Sequence, residues 1–214
     1  MASRNNLREV LQRGSLVLDG AMGTALLMRG LTGRAPEWNL SRPEEVLAVH
    51  RDHVRSGAKL ILTNTFVGAS DLEAASALRI ARDSGAMYVG ASLWAGLPDL
   101  PDQITQLARA DCVWLETATS LEMALEAVKI AVKFTSLPVV ITCSAKVALE
   151  PLRAAGAVAA GYNCAPWPEK PDGADVLKLD AADLDPAAWA AAMPKARLRG
   201  GCCGTTGEYL EALR

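Results

Sequence analysis

The chain has no apolar run long enough to cross a bilayer, which takes about 20 consecutive residues, although half of its 214 residues are hydrophobic. It has no dominant charge. Twenty-two Lys and Arg against 24 Asp and Glu leave a net charge of −2, which argues against a general affinity for nucleic acid or for an anionic membrane. No secretory leader is recognisable: MASRNNLREVLQRG is polar and helix-like, no apolar core follows it, and a cytoplasmic protein is predicted. Internal repeats, long linkers and composition breaks are also missing, which predicts one domain over residues 1–214. The cysteines argue against a disulfide framework, because there are five of them, Cys112, Cys143, Cys164, Cys202 and Cys203, at irregular spacing. In a reducing compartment such thiols serve packing, metal binding or nucleophilic chemistry. Cys112 in CVWLE and Cys143 in LPVVITCSA read as small buried hydrophobes.

Short apolar, β-branched runs alternate with helical patterns. The strand candidates are SLVLDG (15–20), AKLILTNT (58–65), AMYVGASL (86–93), CVWLET (112–117), LPVVITC (137–143), AVAAGYNC (157–164), DVLKLD (175–180) and ARLRGG (196–201). They are near-continuous apolar runs, as parallel strands covered on both faces require. Ser/Thr-x-x-Glu pairs at Ser41/Glu44, Ser70/Glu73, Thr119/Glu122 and Thr205/Glu208 read as capping boxes opening helices between them. Eight strands alternating with helices predict an α/β fold, a minimal (β/α)8 TIM-like barrel; an open doubly wound sheet is the alternative. Only a short helix fits between Cys143 and Ala157, and the prolines between Cys164 and Asp175 predict a helix-free loop.

Barrel chemistry collects at the carboxyl ends of the strands. Cys164 ends the sixth candidate strand, and Cys202 and Cys203 end the eighth. An ideal strand sends neighbouring side chains to opposite faces, so aiming both Cys202 and Cys203 at one point requires a broken pleat. Gly200, Gly201 and Gly204 supply the freedom for one. Three thiolates suit a tetrahedral Zn²⁺ with the fourth position open, the pattern of a catalytic site. Two other readings stand beside it: a redox-active vicinal disulfide between Cys202 and Cys203, or two ordinary thiols at a turn. Asp19-Gly20, Asn64-Thr65 and Glu116-Thr117 end the first, second and fourth strands and bring polar groups to the same rim.

DGAMGT (19–24), TNTF (63–66), LET (115–117), GYNC (161–164) and GGCCGTT (200–206) occur in this order. With these motifs the chain resembles the homocysteine S-methyltransferases, a family that includes the homocysteine module of cobalamin-dependent methionine synthase and betaine–homocysteine methyltransferase. The resemblance runs from about Leu16 to the carboxyl terminus. It implies a zinc held by Cys164, Cys202 and Cys203, with the sulfur of homocysteine taking the open position and receiving a methyl group to give methionine. It also implies that Asp19 and Gly20 lie beside the substrate, that Glu116 holds its ammonium group, and that Asn64 belongs to the site. The stretches 64–116 and 164–202 are shorter than in typical members, and VGASLWAG stands where many have a Gly-Ser-x-Gly-Pro-like segment. The trimmed rim suggests a mouth wide enough for a methylated corrinoid protein as donor, with a small-molecule donor as the alternative.

His50 and His53 lie three apart on a helix whose buried side is marked by Val46, Leu47 and Val54, so they read as solvated or interface residues. DGAMGTALL lacks the full spacing of a phosphate-binding loop. Trp167 in APWPEK reads either as a lid or as packing on its own loop. Two further functions are consistent with the same residues: a zinc- or thiol-binding regulatory protein without transferase activity, and a redox protein.

Overall fold

The computed structural model of the chain describes residues 4–164 and 173–214. Trp167 lies outside the described residues. The elements run α1 (Arg4–Arg13), β1 (Leu16–Val17), α2 (Met22–Met28), a 3₁₀ turn (Ala35–Glu37), α3 (Trp38–Ser41), α4 (Pro43–Arg55), β2 (Leu60–Leu62) and α5 (Asp71–Asp83). They continue as β3 (Tyr88–Trp94), α6 (Leu100–Gln106), β4 (Cys112–Ala118), α7 (Leu121–Phe134), β5 (Val139–Cys143) and α8 (Glu150–Ala154). The last are β6 (Ala159–Asn163), β7 (Val176–Leu179), α9 (Pro186–Ala192), β8 (Leu198–Gly201) and α10 (Gly207–Glu211).

All eight strands are parallel, in the order β1-β8-β7-β6-β5-β4-β3-β2. A bridge between Leu18 and Leu60, with Asp19 N–H donating to the Leu60 carbonyl at 3.1 Å, joins β1 to β2. The sheet therefore closes into a TIM-like barrel, and the open doubly wound alternative falls. Side chains alternate as the pleat demands. Leu18, Leu60, Leu62, Tyr88, Cys112, Trp114, Val140, Val176 and Leu198 fill the interior. Ile61, Val89, Val113, Ile141 and Leu177 face the helical layer. Leu7 and Leu11 of α1 join the interior cluster and are fully buried, so α1 stops the amino-terminal end of the barrel. Arg197 fastens its end by donating to the carbonyls of Leu11 (3.2 Å) and Gly14 (3.0 Å).

Local signals placed helices better than they placed helix starts. The Ser70/Glu73 capping box forms as read, with both reciprocal bonds. The Thr119/Glu122 box does not: Ser120 is the cap and accepts from Met123 N–H at 3.1 Å. Ser41 instead ends α3, donating to the Glu37 carbonyl, while α4 starts at Pro43 without a side-chain cap. Thr205 donates its hydroxyl to the Cys202 carbonyl at 2.7 Å rather than opening α10, which starts after Thr206.

The two histidines are not solvated. His50 is fully buried and His53 is 2 % exposed, on the face of α4 that meets the end of β1. Neither ring nitrogen of His50 and not Nδ1 of His53 has a partner among the described residues. Burial, reinforced by the neighbouring His53, lowers the His50 pKa to about 3 against an opposing pull from Asp19. Val46 is buried and Leu47 and Val54 pack partly buried against the core, and the helix is covered over a wider arc than these three define.

Two outcomes follow from this packing. A Cβ at Gly161 would lie far inside contact distance of the Val176 carbonyl on the neighbouring strand, whereas one at Gly23 in α2 would meet nothing. Gly161→Ala should lower stability by about 3 kcal/mol or more, and Gly23→Ala should leave it level or raise it by up to about 1 kcal/mol, both read by urea unfolding. His50 is neutral in the fold and protonates in the unfolded chain, so stability should fall as pH drops below about 6.5, by at most about 1.4 kcal/mol per pH unit for this group. The loss should continue until the folded-state value near 3 is reached. A urea midpoint series from pH 7 to pH 4 should show this slope, and His50→Gln should flatten it.

Candidate active site

The parallel topology puts every carboxyl strand end on one rim, and β7 stitches two of them together. Cys164 N–H donates to the Lys178 carbonyl at 3.1 Å, and Cys202 N–H donates to the Leu179 carbonyl at 2.7 Å. Adjacent carbonyls of one strand thus hold the two cysteine-bearing ends on either side of it. The sulfurs of Cys164, Cys202 and Cys203 all lie within 4.8 Å of one another. Cys164 and Cys202 are joined as a disulfide, with Cα atoms 5.7 Å apart, and the Cys203 sulfur sits 3.3 Å from that of Cys164. The vicinal Cys202–Cys203 pairing is not what forms: the bond spans 38 residues.

The break in the pleat comes from a turn. The Thr205 N–H and hydroxyl both donate to the Cys202 carbonyl, and Gly204 takes φ +79° within the turn. Gly200 and Gly201 do a different job from the one read in the sequence. A Cβ on Gly200 would lie 2.7 Å from the Asp19 carbonyl, and one on Gly201 would collide with Thr205, so both serve close approach and not backbone freedom. Across the rim, Thr117 and Cys164 adopt φ +62° and +45°. A β-branched residue in that region is strained by roughly 1–3 kcal/mol. Asn163 holds the pair of strand ends in place: its Oδ1 accepts from Thr117 N–H at 3.0 Å and its Nδ2 donates to Thr117 Oγ1 at 2.8 Å.

Charge gathers in the uppermost inward layer. Lys178, 3 % exposed, reaches Asp19 Oδ1 at 2.5 Å, and Asp19 Oδ2 accepts from Leu62 N–H at 2.8 Å. Glu116 Oε1 accepts from the Ser92 hydroxyl at 2.5 Å. Burial raises the Glu116 pKa, with the Lys178 charge and the Ser92 hydrogen bond opposing the rise and the Asp19 charge adding to it. Gly20 is backed by His53 Nε2 and Thr205, which a Cβ would meet at 3.0 and 3.2 Å. Asn64 faces elsewhere: its Nδ2 donates to the Ala35 carbonyl (2.7 Å) and to Asn39 Oδ1 (3.1 Å), and these bonds tie the β2 end to the 3₁₀ turn and α3.

Of the residues read from the sequence, the structure therefore brings Cys164, Cys202 and Cys203 together, sets Asp19 and Glu116 in one charged layer, and commits the amide hydrogens of Asn64 to the scaffold. Cys112 and Cys143 are buried as expected, and burial pushes the Cys143 thiol up to about 12 and that of Cys112 higher still. Sequence reading missed Lys178, Ser92 and the bridging role of Asn163. A lone lysine inside the apolar run DVLKLD was the available signal for the first, since an unpaired cation is seldom placed where both neighbours are buried.

The donor set fits a soft tetrahedral cation. Zinc–sulfur bonds of ~2.3 Å space tetrahedral sulfurs about 3.8 Å apart, within reach of these three side chains once the Cys164–Cys202 bond is reduced. With that bond intact, Cys203 is the one member of this cluster that retains a free thiol.

Comparison with known proteins gives a family match over part of the chain and a likeness of fold over most of it. Residues 16–92 match the sequence model of the homocysteine S-methyltransferase family. No curated protein sequence matches the chain. Among solved structures, the metallated form of the homocysteine methyltransferase MmuM from Escherichia coli aligns with a TM-score of 0.72 at 20 % identity, over 97 % of this chain and 98 % of that one. The oxidised form of the same protein gives 0.73 with the same identity and coverage. A dihydrodipicolinate synthase from Agrobacterium tumefaciens is more distant, at 0.50 and 11 % identity over 91 % of this chain and 71 % of that one. At these identities the structural likeness is one of fold, and it joins the sequence match over residues 16–92 in relating this chain to the homocysteine S-methyltransferase family.

Proposed function

We propose that the protein transfers a methyl group to the thiol of homocysteine, giving methionine. The observation that carries this reading is the meeting of three cysteine sulfurs from two strand ends at the mouth of a closed barrel. The family match over residues 16–92 and the name of the aligned methyltransferase support the choice of homocysteine as acceptor.

Cys164, Cys202 and Cys203, reduced to thiolates, would hold the metal. Bound zinc would supply a Lewis-acid position that keeps the acceptor sulfur as thiolate at neutral pH, where a free thiol with a pKa near 8.5 is mostly protonated. The chain's own groups do the rest. Glu116 receives the substrate ammonium, its carboxylate held by the Ser92 hydroxyl. Asp19, anchored by Leu62 N–H and Lys178, fixes the strand end that carries Gly20. Asn163 keeps the Glu116-Thr117 and Cys164 ends in register. The product is a neutral thioether, a weaker ligand than a thiolate, so it can leave.

The reading places the protein in a reducing, cytoplasmic setting, since the Cys164–Cys202 bond must open before three thiolates are available. No helix among the described residues is long and apolar enough to cross a membrane. The donor is a small methylated molecule or a methylated corrinoid protein. A second reading, thiol–disulfide chemistry, has one observation in its favour: the Cys164–Cys202 pair with Cys203 beside it.

Metal analysis of reduced protein separates the two. Transferase chemistry requires one zinc per chain, lost in Cys164→Ser; a redox protein would bind none and would cycle the disulfide. With zinc bound, homocysteine methylation should be detected by mass spectrometry with at least one donor from a panel of sulfonium, betaine, methylcobalamin and methylated corrinoid-protein donors. Glu116→Gln should raise KM for homocysteine about 10- to 100-fold, the value of one lost charge-assisted bond.

A further inference from the structure

Two inward-facing side chains of opposite charge have hydrogen-bonding capacity that the protein does not fill. An ammonium has three donors, and the Lys178 ammonium has one acceptor among the described residues, Asp19 Oδ1. A carboxylate has two oxygens, and Glu116 uses Oε1 for Ser92 while Oε2 has no partner among the described residues. Lys178 is 3 % exposed and Glu116 8 %, and Glu116 Oε2 is not among the fully buried atoms that lack a partner, so it is reached from the mouth. Val176 faces the interior and Leu177 and Leu179 face the helices, so alternation sends Lys178 inward; Trp114 does the same for Glu116. Lys178 is also the residue whose carbonyl receives Cys164 N–H, so its side chain is directed inward from the strand that supports the sulfur cluster.

We propose that Lys178 binds the carboxylate of the amino-acid thiol while Glu116 binds its ammonium, so that the floor of the mouth is a clamp for a zwitterion. This rests on the function proposed above and names the partner of the one substrate group that reading leaves unheld. The charges agree with it. Asp19, Glu116 and Lys178 together carry one negative charge when ionised, and a zwitterion adds none. A thiol acid without an amino group adds an anion beside two carboxylates. An aminothiol without a carboxylate leaves the Lys178 donors empty. Lys178 bridges two carboxylates in the bound state, the internal one of Asp19 and that of the ligand. The clamp thus selects for α-amino acids, independently of how the sulfur is activated.

Binding measurements test this without a methyl donor or a metal. Calorimetry on the reduced full chain compares L-methionine with 3-(methylthio)propylamine, which lacks only the carboxylate. Wild type should bind methionine about tenfold or more tightly than the amine. Lys178→Met should lose about 10- to 100-fold in methionine affinity and bind the amine no more weakly than wild type does. Since Lys178→Met strands the buried Asp19 charge, the paired variant Asp19→Asn/Lys178→Met, which keeps an acceptor for Leu62 N–H, should show the same ligand-selective loss with a preserved thermal transition. Equal loss for both ligands, or no loss, assigns Lys178 a structural role only and overturns the clamp, as does a wild type that binds the amine as tightly as methionine. A wild type that binds neither methionine when metal-free nor homocysteine when loaded with zinc overturns the proposed function, and the clamp with it, and is told apart because the unmutated protein is already silent.

Discussion

Two backbone hydrogen bonds from β7 organise the mouth of this barrel. The carbonyls of Lys178 and Leu179 receive the N–H groups of Cys164 and Cys202, so the convergence of sulfurs far apart in the chain is a property of strand pairing and not of the cysteines. Closure makes this possible. Without the Leu18–Leu60 bridge between β1 and β2, the β8 end would be near a sheet edge and free to twist away. The glycines around the cysteines serve the same end. Gly200 lets β8 press against the Asp19 backbone, and Gly204 turns the chain back under Cys202.

The mouth is also where the fold is least comfortable. Thr117 and Cys164 take positive φ at strand ends of this rim, which also carries a buried ion pair and a buried carboxyl with a raised pKa. An apolar replacement of an ion pair such as Asp19–Lys178 is often neutral or stabilising, while breaking one side of it costs about 3–5 kcal/mol. Its presence in a layer directly above Leu62, Trp114 and Val176 therefore points to use and not to stability. Below that layer the interior is apolar and stopped by α1, which keeps the polar floor at one end of the barrel.

Local sequence signals were dependable for elements and weak for their ends. Ser70 and Glu73 form their reciprocal cap even with Arg34 3.8 Å from the same Glu73 oxygen, because both partners lie within one helical turn. Thr205 had a better acceptor in the Cys202 carbonyl, which exists only because the turn after β8 folds back on itself. His50 and His53 read as solvated or interface residues and are buried, for a related reason. Their helix shows an ordinary apolar stripe, but it packs against the end of β1 at Gly20, where a missing side chain opens room for imidazole.

The sequence by itself determined the alternation of strands and helices, the burial of Cys112 and Cys143, and the placing of Cys164, Cys202, Cys203, Asp19 and Glu116 at strand ends, because each follows from hydrophobic period or from position at the close of an apolar run. Only the tertiary structure decided that Cys164 and not Cys203 pairs with Cys202, that the Asn64 amide hydrogens go to the Ala35 carbonyl and Asn39, and that Lys178 shares the floor with Asp19 and Glu116. Those outcomes depend on distances between residues of different strands, and strand register is set by the whole closed sheet rather than by any one segment.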